Sequence, residues 1–336
     1  MSDDNHEVLK RIANALERIA HALENANTTK NYNSRSLYER IQNDFHHSTD
    51  IFSNSNYSFY SLSQLISSST IEMSDCSTFS SILKPEFIPR DVIREFLDSK
   101  GIQIKTVPQE SEADTVINSL AEFLGNHYVA LEKILAKIKR CMQHGASFSL
   151  SIKDYSQQDI SDICQFCTRL HEIAFLEEYI YFKSPTYLIK AKTTMEPRAQ
   201  NFFAGQWLER YVLVKVRNAI AEVQNQFDRE LTFDYLLNPQ IILNNGDDFE
   251  LDLIFHVENI FFWIESKSTD YQYHISKYSR MSRHMGLDIS HTIVVLTDIP
   301  RDKIKALTDL YKMTICTPDK LQEQLIETMC EDLGIV

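Results

Sequence analysis

The chain has 336 residues, a formal net charge of −13, and only 7 glycines and 8 prolines, about 2% each against usual levels near 7% and 5%. Neither a G-x-x-x-x-G-K-[ST] loop nor a G-x-G-x-x-G turn occurs in it, which argues against a P-loop NTPase and a dinucleotide-binding Rossmann unit. No run approaches the roughly 18 to 20 apolar residues of a membrane span, the start MSDDNHEVLK does not read as a secretory signal, and the acidic balance opposes passive coating of nucleic acid. The expectation is a soluble, cytoplasmic protein with no membrane partner.

Residues 11–17 and 18–24 repeat a heptad, RIANALE then RIAHALE. Leu9, Ile12, Leu16, Ile19 and Leu23 form its apolar seam. Leu at a and Ile at d favour more than two strands, so residues 1–27 are predicted to be an oligomerising coiled-coil helix, tetrameric ahead of dimeric. Residues 28–83 turn to Ser and Asn, with 13 serines among the 34 residues at 48–81, and read as a linker. Helical spacing follows at 90–99, 111–124, 128–144 and 156–176, then strand-like segments at 178–183 and 186–192. This helix and hairpin resemble the end of a winged-helix unit, placed at 84–196. Cys164, Cys167 and His171 lack the second ligand pair of a zinc site; two thiols on one helical turn is the simpler reading.

Residues 197–336 carry the chemistry. A long helix is predicted at 200–226, then strands at 239–244 and 249–257 around Asn245-Gly246, a strong hairpin signal. A third strand is predicted at 260–266, a polar helix at 270–285, a buried strand at 292–297, a helix at 301–311, a short strand at 312–317 and a closing helix from Pro318. The fold class is α/β, a mixed sheet flanked by helices.

If Glu258-Asn259 is a two-residue turn, Val257 faces Ile260 and Asp252 falls opposite Glu265. Side chains alternate along a strand, so Lys267 shares their face. Directly opposed like charges destabilise a sheet. A divalent cation between them removes the conflict, and Mg²⁺ prefers a few carboxylates plus waters. Lys267 is then placed to hold the attacking water and steady phosphate charge. The simpler alternative makes Glu250, Asp252 and His256 the wet face of an amphipathic hairpin, yet Phe261 and Trp263 share the face of Glu265.

The D-x12-E-x-K arrangement on consecutive strands resembles the PD-(D/E)xK nucleases, the restriction-endonuclease-like superfamily. With Gly205-Gln206-Trp207-Leu208-Glu209 upstream, residues 200–317 are similar to the nuclease domain of the cyclic-oligoadenylate-activated CRISPR ancillary nucleases. Residues 1–196 show no Rossmann-like order that would match their sensor domain, and Leu251 stands where the nominal Pro would be. The resemblance implies a restriction-endonuclease-like fold and a nuclease using Mg²⁺ or Mn²⁺. It implies Glu209, Asp252 and Glu265 as catalytic metal ligands, the Ser266 carbonyl as a further ligand, and Lys267 as the water-positioning cation. Lys277 takes the place where relatives often carry an extra polar group.

From Ser266 to Gly286, Lys267, Lys277, Arg280 and Arg283 outweigh Asp270 for a local balance of +3. Lys277, Arg280 and Arg283 are therefore the expected nucleic-acid contacts, with DNA ahead of RNA and defence against foreign DNA as the setting. The competing expectation is a non-catalytic nucleic-acid-binding or assembly protein on a nuclease-like fold.

Overall fold

The computed structural model describes residues 91–335. The predicted coiled-coil helix (1–27) and Ser/Asn-rich linker (28–83) lie outside the described residues. In chain order the elements are α1 (Val92–Ser99), β1 (Ile102–Thr106), α2 (Ala113–Asn126), α3 (Tyr128–Met142), β2 (Ser147–Ser151), α4 (Gln157–Glu172), β3 (Leu176–Phe182), β4 (Leu188–Thr193), α5 (Pro197–Asn201), a π turn (Phe202–Gln206) and α6 (Trp207–Phe227). There follow β5 (Phe233–Leu237), β6 (Gln240–Leu243), β7 (Asp248–Glu250), β8 (Leu253–Val257), β9 (Ile260–Lys267), α7 (Ile275–Met285), β10 (Thr292–Leu296), α8 (Arg301–Tyr311), β11 (Thr314–Cys316) and α9 (Leu321–Asp332). The architecture is mixed α/β, with sheets flanked by helices. Among the described residues no helix is long and apolar enough to cross a membrane.

Among the described residues three sheets form, ordered β2-β4-β3, β1-β6-β7 and β11-β10-β9-β8-β5. The five-stranded sheet is antiparallel across β5, β8 and β9, and parallel across β9, β10 and β11. Its two faces feed two apolar cores. Leu253, Phe255, Phe262, Ile264, Ile293 and Val295 join a core that runs without a break through α6 and α9 into the helices and small sheet of residues 113–193. Ile254, Trp263, Val294 and Ile315 join a second core, covered by Ile93 and Leu97 of α1 and by α7. Residues 92–106 belong with these C-terminal elements, because β1 pairs with β6.

The hairpin signal at Asn245-Gly246 holds, with Gly246 at φ 86, but the long strand expected at 249–257 is two strands. One register persists throughout: Ile242 faces Asp248, Gln240 faces Glu250, Leu237 faces Leu253 and Phe233 faces Val257. The hairpin bends at Asn238 and Asp252, so its tip enters the β1-β6-β7 sheet and its base the five-stranded sheet. The bend shifts the alternation. Phe249 and Leu251 point into the second core, whereas Leu253 and Phe255 point into the first. An unbroken strand would keep all four on one face. Asn238 causes the break: its φ is 53, a left-handed conformation that Asn tolerates better than most residues.

The helix expected at 200–226 is also divided. A π turn interrupts it, and α6 starts afresh at Trp207. The first turn of α6 is then pinned on two sides. Trp207 and Leu208 are buried, and full burial of a side chain such as Leu208 is worth about 1.5–3 kcal/mol. Arg210 reaches the other way, to Asp114 at 2.8 Å and Asn118 at 3.4 Å on α2. Between these anchors stands Glu209.

Candidate functional site: a buried carboxylate centre

The β8–β9 turn places Val257 opposite Ile260 and Leu253 opposite Ile264, the register that brings Asp252 to Glu265. The Glu265 carboxylate is tied to the Asp252 backbone, and the Asp252 carboxylate to Ser266. The Asp252 backbone N–H donates to Glu265 Oε1 at 3.0 Å, and Trp263 Nε1–H donates to the same oxygen at 3.1 Å. Asp252 Oδ2 accepts from the Ser266 backbone N–H at 2.8 Å and from Ser266 Oγ at 3.2 Å. Lys267 Nζ lies 3.7 Å from Asp252 Oδ2. Asp252 is 4% exposed and Glu265 2%, so these are buried acids, and the amphipathic hairpin's wet face is not where they sit. Glu250 does occupy that face; it is exposed and hydrogen-bonded to Gln240 Nε2.

Glu209 enters from α6. Its Oε2 accepts from Asn238 Nδ2 at 2.8 Å. Burial raises its pKa to about 7, and the Asp252 charge adds to the rise, while the Asn238 hydrogen bond and Lys267 oppose it. Burial also raises Asp252, against the pull of Lys267 and the two Ser266 bonds. Glu265 is pushed well above its ordinary range by burial and then by Asp252. For Lys267 burial alone would lower the value, but Asp252, Glu265, Glu209 and Glu250 together raise it, keeping the ammonium charged. Three part- or fully buried carboxylates thus face one cation, and burial of charge without compensation is costly.

That imbalance, among hard oxygen donors, fits a divalent cation. Asp252 Oδ1 and Glu265 Oε2 stand outside the hydrogen bonds just described. Asn238 Oδ1 is buried without a partner among the described residues, an omission worth about 1–3 kcal/mol when nothing meets it. Among the described residues no three His, Cys, Asp or Glu side chains converge into a ready-made cage. Mg²⁺ does not require one, since it commonly uses one or two carboxylates plus waters and substrate phosphate.

The structure therefore brings together Asp252, Glu265, Lys267, Ser266 and Glu209. Ser266 acts visibly through its N–H and hydroxyl, which lock Asp252. The three basic residues lie apart from the carboxylates, exposed on α7. Lys277 Nζ sits 4.0 Å from the centre of the Phe249 ring, so it caps an aromatic instead of entering the centre. Arg283 donates to the Ser279 carbonyl at 3.2 Å. Cys164 and Cys167 lie on α4 with thiols raised by burial, and His171 bonds through Nδ1 to the Leu176 carbonyl at 3.0 Å.

Two residues of the centre were not anticipated. Asn238 is one; the Asn-Pro pair at 238–239, a chain-bending signal, could have marked it. Tyr278 is the other. It projects inward from α7 with its ring edge-on to Trp263 (6.1 Å) and Phe249 (6.4 Å). Burial and the neighbouring Glu265 and Asp252 charges hold its phenol neutral. Its apolar neighbours at helical spacing, Ile275, Met281 and Met285, hide it among ordinary core positions.

No protein-family model matches the sequence, and no curated protein does. Among solved structures, the chain is similar to protein VC1899 from Vibrio cholerae, with 18% identity and a TM-score of 0.49 over 72% of this chain and 61% of that one. It is also similar to Can2 from Sulfobacillus thermosulfidooxidans, whose structure is a complex with cyclic tetra-adenylate. That match has 15% identity and a TM-score of 0.46 over 70% of this chain and 60% of that one. The chain thus spans about three fifths of the length of each.

Proposed function

We propose that this chain is a metal-dependent nuclease of the PD-(D/E)xK kind, hydrolysing phosphodiester bonds of nucleic acid, with DNA as the first substrate to test. The observation that carries the reading is the arrangement around Asp252: Glu265 across the β8–β9 register, Lys267 beside its Oδ2, and Glu209 within charge–charge range from another element. Asp252 and Glu265 would hold the ion, with Glu209 and the Ser266 carbonyl as further ligands. A bound Mg²⁺ or Mn²⁺ supplies Lewis-acid polarisation of the phosphate and a more acidic water.

The protein's own groups do the rest. Ser266 and Trp263 fix the two carboxylates through hydrogen bonds, so little reorganisation is needed when phosphate arrives. Lys267, charged at neutral pH and partly exposed, orients the nucleophilic water and offsets charge gathering on the phosphate. Lys277, Arg280 and Arg283 present positive charge on the outer face of α7, whose inner face lines the centre through Tyr278. In an acidic chain this is where a polyanionic backbone is drawn. The winged-helix-like unit expected within 84–196 and self-association through residues 1–27 complete the reading, with defence against foreign DNA as its setting.

The test is a substrate panel: supercoiled plasmid, linear duplex, single-stranded DNA and RNA, each with Mg²⁺ and with Mn²⁺. Cleavage that a chelator stops is the expected result. No cleavage of any substrate with either metal would favour the non-catalytic binding or assembly role.

A further inference from the structure

Asn238 stands where the bent hairpin and α6 meet, and it makes three separate commitments there. Its left-handed backbone turns the hairpin from one sheet to the other. Its backbone N–H donates to the Asp252 carbonyl at 3.0 Å. Its side-chain Nδ2 donates to Glu209 Oε2 at 2.8 Å. The residue therefore joins the strand segment bearing Asp252 to the helix residue Glu209, two parts of the chain that approach from different elements. Leu251 N–H, bonded to the Pro239 carbonyl at 3.2 Å, repeats the tie one step along and stiffens the crossing.

The kink alone does not account for this side chain. Glycine adopts a positive φ more readily than any other residue and would serve the bend without burying an amide. A side chain present only to fill space would not carry a buried Oδ1 that no described residue meets. A lysine at this position would fix Glu209 too, but would also neutralise it. A neutral amide donor orients the carboxylate while leaving its charge and its second oxygen available.

We propose that Asn238 is a positioning residue of the carboxylate centre, holding Glu209 at a set place relative to Asp252 so that the two act on one cation. This rests on the metal-dependent reading above. Groups that orient a metal ligand typically change metal affinity or activity 10- to 100-fold when removed, and Asn238 belongs to that class with respect to Glu209.

The experiment is calorimetric titration of the full chain with Mn²⁺, for wild type, N238G, E209Q, the N238G/E209Q double variant and D252N. Cooperative melting in chelator checks that each is folded, and glycine keeps the bend. N238G is expected to bind Mn²⁺ roughly 10- to 100-fold more weakly. Its cleavage should lose kcat with little change in KM for nucleic acid. The double variant is expected to bind no more weakly than E209Q, because a residue acting through Glu209 has nothing left to position. Wild-type affinity in N238G, or a loss that adds in full to that of E209Q, would overturn the assignment. If wild type binds no Mn²⁺, or D252N binds it equally well, the metal-dependent reading itself falls, and the role of Asn238 with it.

Discussion

Replacing Glu209 by Gln should stabilise the metal-free protein while abolishing the proposed nuclease activity. Glu209 is carried from an ordinary 4.5 to about 7 in the folded chain, by burial first and the Asp252 charge second. A raised carboxyl favours the fold while it holds its proton; that contribution is full below 4.5 and is lost as pH rises through about 7. Above pH 7 the ionised group is therefore a net cost, on the order of 3 kcal/mol. Gln mimics the protonated form at every pH and can still accept from Asn238. In chelator at pH 8, E209Q should exceed wild type by on the order of 3 kcal/mol, a sizeable part of a typical 5–15 kcal/mol. At pH 5 the gap should shrink to about 1 kcal/mol. Urea unfolding followed by tryptophan emission suits the measurement, because the chain's two tryptophans, Trp207 and Trp263, are both fully buried and both lie in or beside the centre. Mn²⁺ should narrow the pH 8 gap by stabilising wild type. An E209Q protein less stable than wild type at pH 8, or a gap that ignores pH, would contradict a buried, charge-strained Glu209.

Three further outcomes follow from other parts of the molecule. A Cβ on Gly125 would lie 2.2 Å from Cδ2 of the buried Tyr211 ring; G125A should therefore destabilise by about 1–3 kcal/mol, against the gain of up to about 1 kcal/mol that alanine normally brings to a helix, and a raised melting temperature would count against this α2–α6 packing. R280A combined with R283A should raise KM for a polynucleotide and flatten its salt dependence, by a slope of about 0.9 for each phosphate no longer neutralised; an unchanged slope would remove α7 from the nucleic-acid path. Deleting residues 1–26 should lower the mass seen by light scattering, and an unchanged mass would contradict the heptad reading.

The site was largely legible in the sequence where local rules decide structure. Alternation and the Glu258-Asn259 turn give the β8–β9 register, and that register delivers Asp252 to Glu265 with Lys267 two residues on. Glu209 became visible only through resemblance, since a helix residue carries no local sign of what its helix will meet. What stayed hidden was non-local. The apolar positions 249, 251, 253 and 255 read as one strand, and the bend between Leu251 and Leu253 is imposed by Asn238 on the paired strand. Tyr278 is set by packing on Trp263, an approach between elements that spacing within α7 does not encode. β1 (IQIKT) and β2 (SFSLS) are short strands beside helices, and each gains its pairing from a segment more than 35 residues away, β6 and β4 respectively.

Asp252, Glu265 and Lys267 are proposed to form one metal-dependent centre. Its most direct test is cleavage in Mn²⁺ by D252N, E265Q and K267A, each purified alongside wild type and shown to melt cooperatively. Each should lose at least about a hundredfold in rate, with D252N also losing saturable Mn²⁺ binding. Metal-dependent cleavage that persists at the wild-type rate in all three would place the activity elsewhere.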